Sequence, residues 1–166
     1  MNDGLRAGIL ILGTGNILLR DEGVGVRVVE KLADLDLPDD VELIDGGTAG
    51  ADLLDVIADR SKLIVVDAVD IDSAPGAVVR FTDAQPFNRP GKQMSLHELG
   101  IAETIQMAKQ LGCPPESVVF FGIKPADLTP GLDLSDPVAE SVNIVIEQVL
   151  KEIRPKKRGS NICPQA

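Results

Sequence analysis

Apolar positions in this chain come in two alternating kinds of run. Short, mostly apolar stretches at 7–12, 41–44, 62–66, 77–82 and 117–123 have the length and the Val/Ile content of buried strands. Between them, apolar residues recur at helical spacing. Val24, Val28, Leu32 and Leu35 do so over 24–35, with Val29 widening the face; Leu53, Leu54 and Ile57 do so over 51–59. A third helix is expected over 98–111, with Leu99, Ala102, Ile105 and Met107/Ala108 on its apolar side, and a fourth over 138–153. The order βαβαββαβα predicts an α/β fold, a three-layer α/β/α sandwich. The third and fourth strands are joined by a short connection carrying the Pro75-Gly76 turn signal and no crossover helix. That predicts a hairpin, hence one antiparallel strand in an otherwise parallel sheet of about five strands.

The 166 residues fit one domain, expected over 1–153, with a basic, flexible tail over 154–166 that contains Arg154-Pro155-Lys156-Lys157-Arg158. With four Phe and no Trp or Tyr, the core must be aliphatic, which suits a parallel sheet covered on both faces. A formal net charge of −10 argues against nucleic acid and anionic membranes as partners. Cys113 and Cys163 lie far apart and form no metal or disulfide motif. No stretch has the length of a membrane span, and the first apolar run leads directly into the fold rather than resembling a signal peptide. The expectation is a reduced, cytoplasmic, monomeric protein.

Candidate chemistry lies at the strand ends. The first strand empties into Gly13-Thr14-Gly15-Asn16 and reaches adjacent acids, Asp21 and Glu22, before the next helix; Asp45 and Asp67 close the second and third strands, and His97, the only histidine, opens a helix. Parallel strands end on one edge of a sheet, where open α/β proteins bind ligands. Glu22, Asp67 and His97 together suit a borderline divalent metal with open positions, or an acid–base set. Each also has a plain reading: helix-dipole acids at Asp21 and Glu22, a backbone acceptor at Asp67, a turn former at Asp45, a surface histidine at His97.

The glycine-rich turn invites a dinucleotide reading, but the third glycine of G-x-G-x-x-G is replaced by Leu18, and the following acids would repel a pyrophosphate. G-x-S-x-G, H-E-x-x-H and P-loop patterns are absent.

The run G-T-G-N-I-L-L-x-D-E-G-V-G-V-R (13–27), then D-G-G-T-A-G (45–50), V-D-A-V-D (66–70), A-P-G (74–76), S-L-H-E-L-G (95–100), F-G-I-K-P (121–125) and Gly131…Asp136-Pro137-Val138 resemble, in order, the nickel–iron hydrogenase maturation endopeptidases. The resemblance spans residues 9–150. It implies a peptidase, classed with the aspartyl-type proteases, that removes a C-terminal extension from the hydrogenase large-subunit precursor after nickel insertion. It also implies that Glu22, Asp67 and His97 bind the metal, which the substrate presents. Asp45 is the candidate general base or substrate-positioning group. The alternatives are a non-catalytic nickel-sensing or delivery partner and, further off, a nucleotide-binding α/β domain.

Overall fold

The computed structural model describes residues 8–48, 51–82 and 96–154, with backbone alone at 51, 96 and 97. The first apolar run forms β1 (Ile9–Thr14), and one 3-10 turn (Arg20–Gly23) leads into α1 (Val24–Ala33). There follow β2 (Val41–Gly47), α2 (Leu54–Ile57), β3 (Lys62–Ala68), β4 (Val78–Thr82), α3 (Leu96–Gln110), β5 (Val118–Ile123) and α4 (Asp136–Ile153). β1 and β2 run past their apolar residues because the parallel ladder continues, pairing Gly13 with Asp45 and, after a register shift, Thr14 with Gly47. The helix expected over 51–59 shrinks to a 3-10 turn and the single turn of α2. Only Leu53 and Ile57 are buried there, and Asp59 adopts a left-handed φ of 56° that ends the segment.

The sheet has five strands in the order β2-β1-β3-β5-β4, all parallel but β4. One antiparallel strand is present, but the expected hairpin is not. β4 pairs with β5 rather than β3, with Val79 opposite Gly122 and Phe81 opposite Phe120. The residues between β3 and β4 need only cross two strand spacings, roughly 10 Å, which leaves room for β5 between them.

Alternation along the central strands feeds two cores. Ile11, Ile64, Val66, Val119, Phe121 and Ile123 meet α1 and α4 on one face. Leu10, Leu12, Leu63, Val65, Val118 and Phe120 meet Leu53, Ile57, Ile101 and Ile105 on the other. The same period of two puts Thr14 and Asp67 on the face that α3 covers. α3 is phased differently from its apolar pattern. Glu98, Ile101, Thr104, Ile105 and Ala108 are buried, while Leu99 and Met107 point to solvent. Close packing of α1 on the sheet depends on Gly25, where a Cβ would stand 2.1 Å from the Val66 carbonyl oxygen and 2.5 Å from that of Thr14. This glycine does what the absent third glycine of a dinucleotide turn would have done.

Candidate metal-recognition site at the carboxyl edge of the sheet

The loop after β1 is tightly folded. Gly15 takes a φ of 129°, and the Glu22 carbonyl oxygen lies 1.8 Å from where its Cβ would be. Asn16 Oδ1 accepts the Leu18 amide at 3.0 Å and so shapes the turn. The two adjacent acids then part company. Asp21 turns inward and is fully buried. Its Oδ1 accepts the Ser135 amide at 2.7 Å, and its Oδ2 accepts the amides of Ala126 (2.9 Å) and Asp127 (2.8 Å) and the Ser135 hydroxyl (2.7 Å). Burial alone would raise its pKa, but these hydrogen bonds outweigh it and hold the carboxyl below the usual carboxylate range. Asp21 is thus the clamp on the loop between β5 and α4. Glu22, left half-buried on the other side, carries a charge that Asp67 feels.

Asp67 sits near the end of β3, opposite Gly122 of β5, and is buried. Its Oδ1 accepts the Ala68 amide at 2.8 Å, and its Oδ2 has no hydrogen-bond partner among the described residues. Burial, then the charge of Glu98, then that of Glu22 push its pKa well above the usual range, against the lowering effect of the Ala68 amide and the Thr14 hydroxyl. A carboxylate oxygen held in a dry site without a donor costs free energy unless a cation or a proton meets it.

His97 lies in the first turn of α3, next to Glu98, whose buried carboxylate acts electrostatically on Asp67. The helix start that carries His97 is therefore brought to the Asp67 face, although the His97 side chain lies outside the described residues. No group of three or more acids, cysteines and histidines able to hold a metal exists among the described residues. Asp67 Oδ2 and the half-buried Glu22 carboxylate are oxygen donors of the kind a divalent cation takes.

Asp45 stands apart. Its carboxylate is exposed and accepts the Gly47 amide at 2.8 Å, and it pairs with Gly13, which in turn pairs with Val66. That places it two strand spacings, roughly 10 Å, from β3. Two features escaped the sequence pattern. Glu98 reads there as a helix-surface acid, and its burial follows from the phase of α3. Lys124 ends on Asp70 at 2.5 Å, so the second acid of V-D-A-V-D is an ion-pair partner at the same sheet edge.

This mostly parallel α/β fold is shared with a known class of peptidases. The sequence profile of the hydrogenase maturation proteases matches residues 26–152. The chain belongs to that family, and is accordingly an endopeptidase of hydrogenase maturation. It is 40% identical over 148 residues to the hydrogenase 2 maturation protease of Escherichia coli, covering 88% of this chain and 90% of that protein. The solved structure of the hydrogenase maturating endopeptidase HybD from E. coli superposes with a TM-score of 0.82, over 88% of this chain and 91% of that one, at 40% identity. A hydrogenase 2 maturation peptidase from a Thaumarchaeota archaeon gives a TM-score of 0.66 at 32% identity, over 87% and 96% of the two chains.

Proposed function

We propose that this endopeptidase removes the C-terminal extension of the nickel–iron hydrogenase large-subunit precursor, and that it does so only once nickel is in place. The observation that supports this reading is the buried Oδ2 of Asp67, which has no hydrogen-bond partner among the described residues, with the charge of Glu22 acting on Asp67 and His97 lying in the first turn of α3. Such oxygens are hard donors, and a metal offered with open coordination positions supplies the cation they lack. The nickel arrives with the substrate rather than residing in the enzyme. Apo-precursor lacks the contact that completes binding, so metal recognition becomes a test of maturation state.

Hydrolysis needs a base to take the proton of the attacking water, and an aspartate in that role is the sense in which the enzyme is of aspartyl type. The turn-bound, exposed carboxylate of Asp45 at the end of β2 supports a positioning role better than a base role beside Asp67. The enzyme works as a cytoplasmic monomer. No helix among the described residues is long and apolar enough to cross a membrane.

Glu22→Gln, Asp67→Asn and His97→Gln are each expected to reduce processing of nickel-loaded precursor by at least about a hundredfold, with the fold retained by circular dichroism. Mass spectrometry of the precursor, before and after treatment and with and without nickel, reads the result. Equal trimming of apo-precursor would remove the metal-recognition role, and precursor bound but never cut would point to a nickel-sensing partner.

A further inference from the structure

The loop that carries Glu22 also presents an apolar surface. Leu18 is 60% exposed, Leu128 51% and Leu132 58%, and Pro130 between the last two is exposed as well. Single exposed leucines are ordinary. These are not scattered, because backbone hydrogen bonds join the two segments: the Gly131 amide donates to the Leu18 carbonyl at 2.9 Å and the Arg20 amide to the Gly131 carbonyl at 3.0 Å. The segment is held from behind by Asp21, which accepts Ala126, Asp127 and Ser135, and by the Arg27 guanidinium, which donates to the Leu132 carbonyl at 3.2 Å. The Asp21 carboxylate turns inward while the three leucines are held out. The Glu22 amide donates to the Leu19 carbonyl at 3.1 Å, so this surface and the proposed metal-facing carboxylate share one rigid loop.

We propose that Leu18, Leu128 and Leu132 form the docking surface for an apolar, extended segment of the precursor polypeptide near its scissile bond. This rests on the function proposed above, and three observations favour a peptide as the occupant. The surface is continuous with the loop that bears Glu22. The Leu128 amide and carbonyl and the Leu132 amide make no hydrogen bond among the described residues, and so remain open to a peptide backbone. The basic groups nearest the leucines are engaged within the protein, Arg20 with Asp127 at 3.5 Å and Arg27 with Glu30 at 2.9 Å, so the surface does not call for an acidic partner.

The test compares the Leu18→Ser/Leu132→Ser double variant, Leu128→Ser on its own, and the control Ile144→Ser on α4, where the side chain is 50% exposed. Cleavage of nickel-loaded precursor, direct titration of precursor binding, thermal melts and light scattering are measured for each. KM is expected to rise about tenfold in the double variant with kcat held within about twofold, while Ile144→Ser behaves as wild type. Precursor binding should weaken to the same degree at unchanged melting temperature. Unchanged KM and binding in the leucine variants overturn the proposal. So does a wild-type dimer that the double variant dissolves without loss of cleavage, since the occupant is then a second copy of the chain. Leu128→Ser carries the test if the double variant folds poorly. If wild type binds precursor but cuts nothing, the proposed function fails while the titration still decides the docking surface.

Discussion

Asp21 and Asp67 are buried aspartates whose surroundings push them in opposite directions. Asp21 accepts four hydrogen bonds from residues more than a hundred positions away, such as Ser135 at a separation of 114. No local pattern announces such a role, and the sequence leaves Asp21 and Glu22 nearly interchangeable. Asp67 and Glu22 were legible as candidates because strand ends and the first loop share one sheet edge. Asp67 is buried and faces like charge, and its Oδ2 has no donor among the described residues, so ionising it opposes folding. With the folded pKa raised above the ordinary 3.8, its favourable contribution is full below that pH and is lost as pH rises through the folded pKa. Asp67→Asn keeps the acceptor for the Ala68 amide and removes the charge. It should therefore melt higher than wild type near neutral pH, with the gap narrowing on acidification, while processing is lost. Differential scanning calorimetry across pH reads this, and a lower melting temperature at neutral pH would contradict it.

At the scale of elements, two helices are fixed by what they meet. α1 lies on the sheet through Gly25, against the Val66 and Thr14 carbonyl oxygens. Those contacts are backbone and cannot swing aside, so Gly25→Ala should destabilise by about 3 kcal/mol, the upper end of overpacking costs. It should also lower activity, because the turn carrying Glu22 runs directly into α1. Urea unfolding measures the first effect and precursor cleavage the second. α3 shows the reverse relation between pattern and outcome. Hydrophobic spacing places Leu99 and Met107 inward, yet Glu98 and Thr104 are buried instead. The positions of α3 were readable from its period, but its phase was not. Rotation of the helix is decided by the face of the sheet it covers, which brings Glu98 to bear on Asp67.

At the scale of the molecule, distant segments are tied by carboxylates held in the charged form. Asp21 joins the first loop to the start of α4. Glu152, near the end of α4, accepts Lys62 of β3 at 3.2 Å and Arg80 of β4 at 2.7 Å. Burial would raise the Glu152 pKa, but Arg80 and Lys62 lower it overall. Folded pKa values below the ordinary 3.8 and 4.5 mean that both groups stabilise above those values and lose that contribution as pH falls through the folded pKa. The melting temperature should drop steeply below about pH 4. Asp21→Asn combined with Glu152→Gln should start lower at neutral pH and show a flatter acid limb. An unchanged acid limb in that double variant would assign acid unfolding to other groups.

The sequence by itself determined the alternation of strands and helices, the aliphatic two-sided core, the one antiparallel strand and the family. Each of these follows from local periodicity or from motif order, which are properties of the linear chain. Tertiary structure alone decided that β5 lies between β3 and β4, that Glu98 is buried and Leu99 exposed, and that Asp21 clamps a loop while Glu22 is left beside the site. These outcomes depend on contacts between residues far apart in sequence, whose burial and hydrogen bonding exist only once the sheet has assembled.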